Sequence, residues 1–415
     1  VGSIAEAANN NNTYQNNAFI RCQTAIAIVG PTGNETGNII TGNTIGSTTA
    51  GDKLGWSGIE VYQQANCQVT NNTVFGITLD DLLVTSGISV YGTASNITIS
   101  GNKISDIKNT ESFLGWGSNG IYLGSSSTTA NVNVFNNFIF DIASYGYNGS
   151  FRDAEDNGYG IVVDDGGGYN IYNNTVLLNT NQTANGFPSC LHVTSYVTTA
   201  ASVNVKNNIF TNTQTNGGQH YAIQSAASNT VFGTIDYNSY NTAAANLGYI
   251  GSNRATLANV RTGFGQNLNS LNPSPAPVFI SSTDLHINAS NATNIANLDN
   301  KGNPIVGVAS DYDAQTRNGI TPDLGADEWV KPNYGSWVGK TNIDWLVPTN
   351  WEANFIPDRG TDVFITGGYT YMPTLITTQA VRNLSLSAPV PANTPLLTIT
   401  GGTLQVYGNI TRTAG

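Results

Sequence analysis

Through its first 240 residues the chain returns to one short string at a nearly regular interval. The copies read Asn16-Asn17-Ala18-Phe19, Gly42-Asn43-Thr44-Ile45, Asn71-Asn72-Thr73-Val74, Gly101-Asn102-Lys103-Ile104, Asn136-Asn137-Phe138-Ile139, Asn173-Asn174-Thr175-Val176 and Asn207-Asn208-Ile209-Phe210, with a weaker one at Tyr237-Asn238-Ser239-Tyr240. The second residue is always Asn, and successive copies lie 26 to 37 residues apart. A second string, Gly-Ile-x-Val or close to it, starts at Gly58, Gly87, Gly120 and Gly160, and short alternating runs such as Ile97-Thr98-Ile99-Ser100 separate the two. Each repeat thus holds three short segments with period-two alternation, punctuated by turn residues, which is the pattern of strands and not of helices. One such repeat cannot bury its own apolar faces, whereas stacking equivalent strands in parallel closes a continuous core. The expected fold is all-β: a parallel β-helix of about eight coils, right-handed as parallel crossovers are, rising about 4.8 Å per coil.

In that geometry the recurrent Asn sits at a corner. It tolerates unusual backbone angles there, and its amide can donate to the next coil while accepting from the previous one. Asn43, Asn72, Asn102, Asn137, Asn174 and Asn208 are therefore expected at one corner, in a structural role.

The rhythm stops after Asn241. A helix-tolerant stretch, 254–260, leads into the Pro-rich run 272–277 and a short strand at Asp284-Leu285-His286-Ile287. Asp311, Asp313 and Arg317 follow, then Pro322-Asp323-Leu324-Gly325-Ala326-Asp327-Glu328-Trp329. This ending resembles that of the bacterial surface β-helix proteins called choice-of-anchor Q domain proteins, and the repeat resembles those of pectate-lyase-like proteins. The resemblance implies a secreted or surface-anchored β-helix within a longer chain and carries over no catalytic residue. Residues 241–330 are expected to close the end of the helix, since an open last coil exposes an unpaired edge, with Arg317 pairing with Asp323 or Glu328. Asp311, Asp313, Asp323 and Asp327 are weak candidates for calcium, which takes carboxylate oxygens; no other cofactor is implied.

After Lys331-Pro332-Asn333 the aromatics Trp337, Trp345, Trp351 and Phe355 crowd together, and alternating runs return at 362–365, 384–386, 397–399 and 403–406. This stretch resembles the Trp-rich openings of β-solenoid modules in large Bacteroidetes surface proteins. The expected organisation is 1–240 β-helix repeats, 241–330 closing segment, and 331–415 the beginning of a second solenoid with its tryptophans in the core.

Composition limits the functions open to such a fold. Charged residues make up only 10% of the chain, the net charge is −11, and 15 Lys and Arg are spread without a basic cluster. Nucleic-acid binding, which needs clustered cations, is excluded on that ground. No apolar run reaches the roughly 18 residues of a membrane-spanning segment. Three cysteines, Cys22, Cys67 and Cys190, form neither a disulfide framework nor a metal pattern. The opening at Val1 without a leader segment leads us to expect a piece of a longer, exported parent chain with further domains.

The strand beginning Gly-Ile-x-Val is the first place to look for a groove. Simple alternation puts Gly58, Glu60 and Tyr62 outward and Ile59 and Val61 inward. The candidate ligand-binding row is then Glu60, Tyr62, Tyr91, Tyr122, Asp164 and His192, under Trp56 and Trp116 from the feeding loops. Elimination chemistry on a polysaccharide needs a positioned base, and the row contains no Arg or Lys. Glycoside hydrolysis needs two carboxylates within about 5–9.5 Å, whereas Glu60 and Asp164 are three coils apart, roughly 14 Å. Asp153, Glu155, Asp156, Asp164 and Asp165 are left as the one source of an acid pair. No catalytic residue is assigned. The expected function is a non-enzymatic structural or adhesive segment of a secreted or cell-surface protein, with glycans or other surface components as partners; a carbohydrate-binding module, or a polysaccharide lyase or glycoside hydrolase using the groove, is the alternative.

Overall fold

A computed structural model describes residues 9–30, 35–113, 116–147, 157–216, 219–289, 291–329, 333–352, 354–388 and 394–413. These fall into two compact units, one holding the described residues up to Asn288 together with Ala296–Glu328, the other Ala289–Ile295 with Trp329–Gly415.

The first unit is a parallel β-helix. Each coil contributes one strand to each of three sheets. Sheet 1 runs from Thr13–Gln15 through Ile39–Thr41, Gln68–Thr70, Thr98–Ser100, Val132–Phe135, Tyr169–Tyr172 and Val203–Lys206 to Phe232–Asp236, eight strands in sequence order. Sheet 2 starts at Ala18–Phe19 and ends at Ser239–Thr242; sheet 3 starts at Thr24–Val29. Every neighbouring pair in sheet 1 is parallel, with its partner one coil away, and only the last pair carries a register shift, between Val203 and Asn204. The expected eight coils are therefore present.

Inward positions fill the interior as stacked aliphatic rows. Ile40, Val69, Ile99, Val134, Ile171, Val205 and Ile235 come from sheet 1, and Val74, Ile104, Ile139 and Val176 from sheet 2; all are fully buried. The helix is narrow between sheets 2 and 3 because of Gly58, Gly87, Gly120 and Gly160. A Cβ on Gly120 would lie 2.5 Å from both the Gly160 carbonyl and Ile139 Cγ2. The same is true of Gly58, where a Cβ would meet core residue Val74 at 2.6 Å. Gly58 thus faces inward like Ile59, which corrects the simple alternation: the pairing steps from Ser57 to Ile59, skipping the glycine.

At the corner between sheets 1 and 2, two consecutive residues divide the work. The first is left-handed: Asn16, Asn71, Asn136, Asn173 and Asn207 have φ between 49° and 58°, and Gly42 and Gly101 have φ of 66°. The second is the ladder residue and carries no positive φ. Asn72 donates from its backbone N and its Nδ2 to Asn102 Oδ1 at 2.9 and 3.0 Å, and its Nδ2 also reaches back to the Ile40 carbonyl at 3.0 Å. Asn102, Asn137, Asn174 and Asn208 repeat this pattern up to Asn238. The whole amide ladder is buried at 0 or 1% exposure from Asn43 to Asn238.

The closing segment does two separate things. Its first part ends the stack. Ser252–Arg254 folds back antiparallel on Gly248–Ile250, and helix α1, Leu257–Phe264, capped by Thr256, lays Val260 and Phe264 over the core. Ser270 Oγ takes the place of the next ladder Asn, accepting from Asn238 N at 3.0 Å. The later part does not cover the open end, contrary to expectation; it lies along the outside of sheet 2. Leu285 and Ala326 pack on Phe138, Phe140 and Leu177. The left-handed asparagines hold it: Asn136 Nδ2 donates to Ser310 O at 2.6 Å, Asn207 Nδ2 to Asn303 O at 2.7 Å, and Asn173 Nδ2 approaches Gly325 O at 3.4 Å. Arg317, nearly fully buried, pairs with Glu328 at 3.2 Å and donates to Asn136 Oδ1 at 2.8 Å. Of the two acids expected for Arg317, Glu328 is the partner.

The second unit is a smaller parallel stack. Asn333–Ser336, Thr361–Thr366, Asn383–Ser387 and Ile410–Thr413 form one sheet. Trp337, Trp345 and Trp351 are its core, each 1% exposed, with edge-to-face ring contacts at 5.0 and 4.7 Å.

Replacing Asn137 by Leu removes the acceptor for two buried Asn102 donors. At roughly 1–3 kcal/mol per stranded group, the variant should lose about 3 kcal/mol, read as a lower denaturation midpoint. An equally stable variant would show that the ladder contributes nothing.

Candidate functional site

The outward side of sheet 3 carries a cleft of about 320 Å³. The strands Ser57–Tyr62, Thr85–Gly92 and Ser118–Ser125 place Glu60, Ser89 and Tyr122 side by side, one per coil, and Tyr62 beside Tyr91. Trp56 forms one wall, fixed by its indole N–H donating to Val84 O at 2.9 Å. Ser57, Ser86 and Ser89 supply polar points along the floor, with Glu60, Tyr91 and Tyr122 among them.

Four candidates from the sequence, Trp56, Glu60, Tyr91 and Tyr122, thus meet in one cleft. Tyr62 stands just outside it and supports Tyr91, with ring centroids 5.0 Å apart. Asp164 is reached through Tyr122, whose hydroxyl donates to Asp164 Oδ2 at 2.6 Å. Trp116 is half-buried and does not line the cleft. His192 is a correction: it is fully buried, stacked on the Tyr159 ring at 4.6 Å and 19°, and offers nothing to the groove. Its position in the strand is outward, but the aromatic side chain of the preceding coil covers it. Sequence reasoning missed Ser57 and Ser86, which pair in register immediately before the glycines. Asp153, Glu155 and Asp156 lie outside the described residues.

Burial pushes the Glu60 carboxyl above its ordinary range, against the opposing effect of the Ser57 and Tyr91 hydroxyls. The Tyr91 hydroxyl donates to Glu60 Oε2 at 3.3 Å. Tyr91 itself is pushed up to about 12, by burial first and then by the Glu60 charge. The cleft therefore holds one carboxylate, hydroxyl donors and aromatic faces. Among its described lining residues there is no Lys or Arg to supply the base of an elimination and no second acid for glycoside hydrolysis.

The calcium candidates divide. Asp311, Asp313 and Asp327 bring carboxylate oxygens within 4.8 Å of one another, and Asp323 is not part of that group. Asp323 accepts from Asn300 N at 2.6 Å instead. The three clustered acids already have protein donors: Asp311 accepts from Gln315 N and Glu328 N, Asp327 from Ile287 N, and Asp313 Oδ2 lies 2.9 Å from His286 Nε2. A hard cation would find three oxygens here but would compete with His286 for one of them.

Comparison with known proteins agrees with this architecture. Residues 2–176 match the family model of the right-handed β-helix region. A PL6 family alginate lyase, AlyGC, is a similar solved structure, with 10% sequence identity, 97% of this chain and 70% of that chain covered, and a TM-score of 0.22. So low a score transfers neither residue nor substrate. No curated protein matches. Among the described residues no helix is long and apolar enough to cross a membrane.

The raised pKa of Glu60 has a definite sign. Its neutral form fits the cleft better than the charged form, so the stability it contributes is present below the unfolded carboxyl range and is lost as pH rises through the higher folded value. Glu60→Gln should therefore gain stability relative to the parent on going from pH 4 to pH 7, measured as the difference in Tm. A difference that stays constant would show that the Glu60 environment does not disfavour its charge.

Proposed function

We propose that this β-helix is a non-catalytic, adhesive segment of an exported protein, and that it holds uncharged sugar units in the sheet 3 cleft. The observation that carries the reading is the make-up of that cleft: Trp56, Tyr91 and Tyr122 around three serines, with Glu60 the one carboxylic acid and no cation among the described lining residues. A sugar ring offers an apolar face to aromatic rings and a rim of hydroxyls to Ser and Glu oxygens. An anionic sugar is disfavoured next to Glu60. Among the described lining residues there is neither an acid pair nor a Lys or Arg to serve turnover.

The solenoid form supports the adhesive part of the reading. Contacts are local and coils add at a fixed rise, so such a fold spans distance at low sequence cost. Sparse charge and an acidic balance limit nonspecific adhesion to anionic surfaces. Secretion or display at the cell surface follows as part of the same proposal.

The test is a glycan array probed with the whole chain, together with an assay for reducing or unsaturated ends. Neutral glycans should be retained, Trp56→Ala should weaken them at least tenfold, and no product should accumulate. Release of product lost in Asp164→Asn would make the protein an enzyme and overturn the reading.

A further inference from the structure

The outer face of sheet 2 holds a second, larger groove, about 550 Å³, between the second and fifth coils. Its walls are the rings of Phe75 and Phe140, and hydroxyls of Thr48, Thr73, Ser105 and Thr283 rim it. Thr283 comes from the segment that lies along this sheet, so the groove begins where that cover ends. Lys103 reaches over the Phe140 ring, its ammonium 5.6 Å from the centroid.

Charge is unusually concentrated here for a chain with 15 Lys and Arg. Lys53 pairs with Asp106 at 2.7 Å, and Lys108 with Asp141 at 2.5 Å. Lys108 is further held by the Asp141 carbonyl, and Thr180 donates to Asp141. Both acids on the groove wall are thus matched by a lysine of their own. Asp284, on the neighbouring hairpin, is bound to His286 and also feels the charge of Lys103. Among the described residues no carboxylate lies within 4 Å of the Lys103 ammonium. The groove therefore presents one cation outside any close ion pair, its charge felt by Asp284, against two matched ion pairs, with aromatic faces and hydroxyls around it.

We propose that this groove is a second glycan subsite, and that it takes an acidic sugar unit, with a carboxylate or sulfate ester on Lys103 and the ring against Phe75 and Phe140. The aromatic walls and hydroxyl rim suit a pyranose body, and the single cation suits one anionic substituent. A nucleic-acid backbone would need several cations in a row. The two subsites then differ in sign: Glu60 favours a neutral unit on sheet 3, and Lys103 favours an acidic one on sheet 2. The second assignment stands on its own residues and does not depend on the first.

Titration calorimetry at low ionic strength tests it with three probes: a short oligogalacturonate, a sulfated galactan fragment and a neutral oligosaccharide retained on the array, or cellohexaose if none is. The parent chain should bind at least one acidic probe, more weakly as salt is added. Lys103→Gln should weaken that binding about tenfold or more, Lys103→Arg should restore most of it, and both should unfold at the parent Tm. Trp56→Ala should leave acidic binding intact. The two acidic probes separate carboxylate from sulfate. No acidic binding by the parent, unchanged binding in Lys103→Gln, or loss of acidic binding in Trp56→Ala would each overturn the assignment. Failure of neutral binding alone would fall on the sheet 3 reading and leave this one standing.

Discussion

The buried amide ladder is the constraint on which the first unit depends. A turn between two parallel sheets leaves backbone N–H groups pointing into a space too tight for water, and a buried donor without a partner is costly. Each ladder Asn solves this for its neighbour: one side-chain oxygen accepts both the backbone and the side-chain N–H of the preceding ladder Asn. The solution works only if the next coil places another Asn at the same height. Coil length can vary from 26 to 37 residues because this requirement fixes the corner and leaves the loops free. The aliphatic rows then come into register as a result.

Much of this was legible in the sequence. Eight copies of the string gave eight coils, because a repeat too small to bury its own faces has to stack. The tryptophans at 337, 345 and 351 read correctly as core. The division of labour within Asn-Asn was less legible. Either residue type accepts a left-handed backbone, and only the structure shows that the first residue carries the positive φ while the second carries the ladder. Gly58 was misplaced because period-two alternation assumes an unbroken pleat, and the pairing skips that glycine.

The candidate site was legible in its strand and less so in its depth. Alternation marks a residue as outward, but whether an outward residue meets solvent depends on the side chain one coil away. Glu60 and Tyr122 follow the small Ala27 and Ser89 and line the cleft, as does Tyr91, tilted on Tyr62, while His192 lies under Tyr159 and is lost to it. The sheet 2 groove could not be read from the chain at all. Its lining is drawn from Thr48 to Thr283, and Lys103 is notable only because the nearby acids are already matched, which is a property of distances and not of order.

The left-handed asparagines have a bearing on how a protein of this kind can change in length. Asn136, Asn173 and Asn207, on three consecutive coils, grip the returning segment through Ser310, Gly325 and Asn303. At the corresponding place two earlier coils carry Gly42 and Gly101, with no side chain to grip. An inserted or deleted coil among these three would shift one grip by a full rise of about 4.8 Å relative to the others and detach the segment. Among the earlier coils the same event would change only the length. Duplication and loss are therefore open to one end of the solenoid and closed to the other, so lineages of this fold should lengthen from the amino-terminal side while the carboxy-terminal coils stay constant in number.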